Sequence, residues 1–239
     1  MKIAVVSPHL DDAVFSVGGL AHRWATDGND VVVITVFAGT LRDRPLSEWE
    51  RLCGFRSARQ AVETRRAEDL RACRRIGAST IWLDHPDHSE VESGSERDLD
   101  WCATELSGHL AGAAVVLVPG SPLRNPDHAA VAEMITRLAP SDRRLVHYAE
   151  QPYLATDRRR APGPPEPVGP GGDAAPVWQR VPLGRIDAWH KSRAARQYRS
   201  QIRPQVDDVR NQRRYERAVR AEWLAPVSPS LLAATVGRP

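Results

Sequence analysis

Cysteine is scarce in this chain and long apolar runs are missing, and each shortage excludes a class of protein. Cys53, Cys73 and Cys102 are odd in number, widely spaced and never arranged as CxxC. They read as reduced core thiols rather than as a disulfide framework or a zinc ribbon. No apolar stretch approaches the roughly 18 residues of a membrane span. The N-terminus lacks the basic n-region, long h-region and cleavage site of a secretory signal, so the expected location is cytoplasmic. No G-x-G-x-x-G follows the first apolar run; the glycines of "SVGG" (16–19) come a turn late. That argues against a metal-free, dinucleotide-binding domain. No aromatic stacking pattern accompanies the arginines that crowd the chain after residue 157, and acids are interleaved with them. A net charge of +3 therefore reads as a solvated Arg-rich surface, and no nucleic-acid partner is expected.

What is present is ordinary globular composition. The 239 residues are 41% hydrophobic and 26% charged, enough for one substantial core. Apolar runs at Ile3–Ser7, Val31–Phe37, Thr80–Leu83, Ala114–Pro119 and Leu145–Ala149 have the length of strands. Amphipathic segments at about 12–27, 57–76, 97–111 and 128–139 separate them. This alternation predicts an α/β chain: a Rossmann-like, mostly parallel sheet with helices on both faces, in a single domain covering 1–239. Residues 157–176 carry six prolines and four glycines and are expected to form a long loop. After it, "VWQRVPLG" reads as a strand, and 187–200 and 207–222 as helices.

Sheets of this kind hold their chemistry just beyond the carboxyl ends of the strands. There the first strand runs into "SPHLDDAVFS", residues 7–16. His9 and Asp12 are spaced i, i+3, so at a helix entrance both side chains face the same way. A divalent metal makes an imidazole and a carboxylate converge in one place. Two adjacent acids also cap a helix and favour its dipole. On this stretch alone both readings stand. The fourth run ends in "SPLRNPDHAAVAEM", which places His128 at a second strand end. His9, Asp12 and His128 then form a His₂Asp set with one position open, the layout of a catalytic zinc site. Asp11, adjacent but not a ligand, is placed to act as general base on water.

The ordered motifs "SPHLDD", "TRRAEDLRACRRIGASTIWLDHPD" (64–87), "NPDH" and "KSRAARQYRSQ" (191–201) resemble the LmbE/PIG-L family of zinc-dependent N-deacetylases. The resemblance runs from residue 4 to about 201. It implies one zinc ion per chain on His9, Asp12 and His128, although another divalent ion such as Fe2+ suits the same ligands. It implies Asp11 as base, with Arg65 and Asp87 as substrate-binding residues and Asp84 as the competing choice. The bland alternative for Arg65 is pairing with Glu68 or Asp69 along its helix. The implied reaction is hydrolysis of an N-acetylated amino sugar, a small-molecule substrate, to acetate and a free amine. The alternatives are an amidase acting on a non-sugar or thiol-conjugate amide, and a sugar-binding relative with impaired catalysis. Leu10 replaces the family's usual Pro. Asn125 stands where many relatives carry a His that, with the neighbouring Asp127, stabilises the oxyanion. An Asn amide donates a hydrogen bond but carries no positive charge, so Asp11 is expected both to take and to return the proton. Trp49, Trp82 and Tyr153 are candidates to stack on a sugar, or else core and rim aromatics.

Overall fold

Alternate residues of the first strand feed opposite sides of a sheet, which explains why it is apolar throughout. In β1 (Lys2–Ser7), Ile3 and Val5 join one core cluster while Ala4 and Val6 join another. β2 (Asp30–Thr35) does the same with Val31 and Val33 against Val32 and Ile34. β4 (Val115–Ser121) repeats the pattern with Val115 and Leu117 against Val116 and Val118. A strand covered on both faces has no reason to alternate apolar with polar. The computed structural model describes residues 1–40, 44–88, 99–138, 144–156, 178–202 and 222–226.

Helices α1 (Asp12–Thr26), α3 (Ala58–Arg75) and α7 (Arg185–Ala195) cover one face, contributing Leu20, Trp24, Cys73 and Ala194 among others. Helices α4 (Leu99–Leu110) and α5 (Pro126–Leu138) cover the other with Leu106, Val131, Met134 and Ile135. Short helices α2 (Glu48–Leu52), α6 (Tyr153–Thr156) and α8 (Arg199–Ile202) complete the helical elements among the described residues. With β3 (Ser79–Trp82), β5 (Arg144–Ala149), β6 (Gln179–Val181) and β7 (Glu222–Pro226), the sheet runs β3-β2-β1-β4-β5-β7-β6. β1 to β5 are parallel, and β7 is antiparallel to both of its neighbours. The chain winds outward from β1 to β3, then returns to lay β4 against β1. The switch point between those two strands is where an open α/β sheet forms a crevice.

The predicted α/β architecture is thus found, with the first five strands and four helices within two residues of their expected limits. Two expectations need correction. The segment 187–200 is not one helix but α7 and α8, parted at Arg196–Tyr198. Glu222, expected at the end of a helix over 207–222, instead opens β7, and the rest of that segment lies outside the described residues. The Pro/Gly-rich 157–176 also lies outside them. Among the described residues no helix is long and apolar enough to cross a membrane.

Glu222 matters to the first helix. At Val17 the backbone of α1 leaves helical values (φ −131°, ψ 18°), which frees backbone groups in a buried place. The Glu222 carboxylate accepts the N–H groups of Gly19 (2.7 Å) and Leu20 (3.0 Å). From α7, Lys191 donates to the Ser16 carbonyl (3.1 Å) and pairs with Glu222 (2.7 Å). Both side chains are fully buried. Burial draws the Lys191 pKa down, and the Glu222 charge opposes that pull. Removing one partner of a buried pair leaves an uncompensated charge, so Lys191→Met is expected to cost about 3–5 kcal/mol. Urea unfolding measures this, and adding Glu222→Gln to the same chain should recover part of the loss.

Candidate metal centre and active site

The turn after β1 is organised by a hydroxyl. Ser7 Oγ donates to the His9 carbonyl (2.7 Å) and accepts the Ala13 N–H (3.0 Å), clamping both sides of the helix entrance. The His9 N–H reaches the Asp12 carboxylate (2.9 Å), so Asp12 folds back over the turn that precedes it. Between them Asp11 has φ 152°, a positive value that non-glycine residues rarely adopt. Such strain persists only where the surroundings over-determine it, and it gathers at functional sites. Here it turns two consecutive carboxylates in different directions.

At the end of β4, Asp127 and His128 open α5 and approach His9 across the switch point. His9 Nδ1 lies 3.1 Å from His128 Nε2. Asp12 Oδ2 is 3.4 Å from the first of these nitrogens and 3.2 Å from the second. The outer nitrogens are already committed: His9 Nε2 to Asp127 at 2.9 Å, and His128 Nδ1 to Glu150. An ionised carboxylate only accepts, so each outer nitrogen carries the proton. The two inner nitrogens then face each other with lone pairs, beside a carboxylate oxygen. That triangle needs a cation. Ligand bonds of roughly 2.0–2.1 Å at tetrahedral angles place donor atoms about 3.3 Å apart, which matches its three edges. The paired outer carboxylates are the usual supports of metal-bound imidazoles. The residues present therefore fit zinc, with His9, Asp12 and His128 as the group able to hold it.

The electrostatics agree. Burial lowers the affinity of His9 for a proton, but its bonds to Asp12 and Asp127 outweigh that and push it up to about 9. Burial acts likewise on His128, where Asp12 and Glu150 prevail and push it up to about 11. Both imidazoles sit where positive charge is wanted. Burial, then repulsion from Asp12, raises Asp11 to about 8, while Arg65, His9 and His128 pull it down. A divalent cation at the triangle acts on Asp11 in the same downward direction, which favours the ionised form a base requires.

Other expected residues fall into place unevenly. Asp127 is fully buried and carries His88 as well as His9, taking both the ring nitrogen (2.8 Å) and the backbone N–H of His88. Asp87 stands beside them, its carboxylate within 4.8 Å of ligand atoms of His88 and Asp127. Asp84 is mostly exposed and paired with Arg66. Asn125 Oδ1 accepts the Asp127 N–H (2.9 Å) and so caps α5, leaving its amide nitrogen as the donor. Arg65 acts electrostatically on Asp11, and its Nε is buried with no hydrogen-bond partner. Its neighbours do not take it up: Glu68 holds Ser200, and Asp69 holds Trp82 and Tyr198. Of the three aromatics, Trp82 is tied to Asp69 and Trp49 donates to Gln201, whereas Tyr153 meets His128 edge-on. Sequence reasoning missed Glu150 and His88. Glu150 follows β5 directly, so the strand-end rule pointed to it, but a single acid has no spacing to distinguish it.

A metal-ready His₂Asp triangle at a sheet's switch point, flanked by a strained carboxylate, defines a metal-dependent α/β hydrolase type of site. The profile of one family, described as PIG-L: GlcNAc-PI de-N-acetylase, matches residues 4–139, and the chain belongs to that family. No curated protein sequence matches it significantly. Among solved structures it is similar to a deacetylase of the teicoplanin biosynthesis pathway, with TM-score 0.78 and 19% identity over 95% of this chain and 97% of that one. The N,N'-diacetylchitobiose deacetylase of Pyrococcus horikoshii matches with TM-score 0.61 and 15% identity, over 97% and 85% of the two chains. GalB, the 4-carboxy-2-hydroxymuconate hydratase of Pseudomonas putida, matches with TM-score 0.57 and 18% identity, over 95% and 96%. At these identities the likeness establishes the fold, and the fold alone does not choose between deacetylation and hydration.

If Glu150 orients His128 for a metal, Glu150→Ala should weaken zinc binding about 10–100-fold. Competition with a chromophoric chelator measures this, with His128→Ala as the reference for loss of a ligand.

Proposed function

We infer that this chain is a zinc-dependent hydrolase that removes the N-acetyl group from an amino sugar and releases acetate. One observation carries the reading: the inward-facing triangle of His9, Asp12 and His128, with Asp11 beside it, in a chain of the PIG-L family. When bound, zinc supplies a Lewis acid that polarises a carbonyl and lowers the pKa of water toward about 7. The protein residues do the rest. Asp11 takes a proton from water as the water oxygen bonds to the acetyl carbon. The C–N bond then breaks, and Asp11 returns the proton to the departing nitrogen. Asp127 holds the His9 ring in its tautomer, Glu150 does so for His128, and the Asn125 amide is the nearby neutral donor.

An amino sugar suits the surroundings. Arg65 presents a buried guanidinium atom without a partner near the base, which suits an acceptor on the substrate. Asp87, beside Asp127 and His88, is better placed for sugar hydroxyls than Asp84, which Arg66 occupies. Both deacetylases compared above act on, or belong to the assembly of, sugar-containing molecules, which supports this class. Cys53 and Cys73, both outside any disulfide, support a reducing, cytoplasmic setting.

Acetate release from a panel of N-acetylglucosaminides tests the reading, and turnover of a non-sugar amide alone would exclude the sugar. Asp11→Asn should keep its zinc, measured by metal analysis, and lose roughly 10²–10⁴-fold in kcat, the usual range for general-base catalysis.

A further inference from the structure

Tyr153 opens α6, immediately beyond the strand that carries Glu150. Its ring stands edge-on to the ring of His128, with centroids 5.5 Å apart and planes at 85°. His128 is fully buried, whereas Tyr153 is about a third exposed, so the tyrosine lies between the ligand and solvent. It is wall, not core. Leu154 N–H bonds the Glu150 carbonyl (3.0 Å), which fixes the short helix on the same residue that orients His128.

The tyrosine hydroxyl makes no hydrogen bond to any described residue, although carboxylates surround it. Asp12, Asp11 and Glu150 all act on it, and so does Arg65. These acids are not waiting for its proton. Asp12 takes the His9 N–H and faces His128, and Glu150 takes His128 and the Leu123 N–H. A phenol keeps its proton near pH 7, so the group is an O–H donor. A donor that no described residue takes up, on a ring lying between His128 and solvent, is available to an acceptor that arrives with the substrate. Arg65 and Asp11 border the same space, because Arg65 acts on both Asp11 and Tyr153.

We propose that Tyr153 is a catalytic residue whose hydroxyl donates a hydrogen bond to the acetyl oxygen as that oxygen gains negative charge. No proton is transferred: the O–H bond of Tyr153 persists while the carbonyl π pair moves onto oxygen, and the interaction relaxes when the carbonyl re-forms in acetate. This role rests on the amide-hydrolase reading above. It differs from sugar stacking, which uses the ring and is indifferent to the hydroxyl.

Tyr153→Phe separates the two, because it keeps the ring against His128 and removes only the donor. Loss of one oxyanion donor costs roughly 10²–10³ in rate, so kcat should fall by about 10²-fold while KM and zinc affinity stay within about twofold. The zinc-loaded variant should also bind a methylphosphonamide of glucosamine, whose tetrahedral phosphorus mimics the attacked carbon, about 10²-fold more weakly, with binding of the free amine product unchanged. Unchanged kcat overturns the proposal. So does a rise in KM alone, which marks the ring as a sugar platform, or a parallel loss of zinc, which makes Tyr153 a support for His128. A wild-type protein that neither turns over N-acetylglucosaminides nor binds the phosphonamide defeats the amide-hydrolase reading itself. That outcome is distinct, because it appears before any substitution is made.

Discussion

Two imidazole nitrogens 3.1 Å apart, each with its lone pair turned inward, are the constraint around which this molecule is arranged. With neither a proton nor a cation between them they repel each other and the neighbouring Asp12 oxygen. The protein nonetheless fixes them in that attitude by occupying both outer nitrogens with buried carboxylates, Asp127 and Glu150. Every contributor comes from the carboxyl end of a strand: β1 delivers His9 and Asp12, β4 delivers Asp127 and His128, and β5 delivers Glu150. Strand order therefore sets the site. If β4 did not return to lie against β1, residues 119 positions apart could not share one cation.

The same arrangement explains the crowding of acids. Asp11, Asp12, Asp127 and Glu150 are all buried around two histidines, a distribution that is expensive without compensating positive charge. Protons on His9 and His128 supply that charge in one state and a divalent ion supplies it in another, in competition for the same nitrogens. Metal affinity must then weaken as acidity rises. Asp11 is not among the three groups that converge there, although Asp12 and both imidazoles act on it.

Much of this was legible in the sequence, for identifiable reasons. Runs such as Ile3–Val6 are apolar on both faces, so the parallel sheet declared itself without alternation. His9, Asp12 and His128 were found because two strand ends carried ligand-type residues at a helix entrance. What escaped notice depends on partners far away in sequence. Glu150 and His88 are single polar residues whose meaning comes only from His128 and Asp127. Glu222, expected to end a helix over 207–222, instead opens a strand, because pairing with Val181 of β6 and the Lys191 charge decide that residue's conformation and no local pattern records either. Asp84 and Asp87 were indistinguishable by spacing, and the nearby Arg66 side chain separates them.

The break in α1 at Val17 has a consequence for the order in which the chain can be completed. The helix that begins at the metal loop has its free backbone groups taken up by Lys191 and Glu222, residues made 175 to 203 positions after those groups. Residues 4–139 contain all three ligands, yet they lack Glu150, which orients one ligand, and both members of the pair that closes the break. A nascent chain of that length holds the three ligand-type residues without these supports. The supports of the centre are thus complete only once Glu222 has been made.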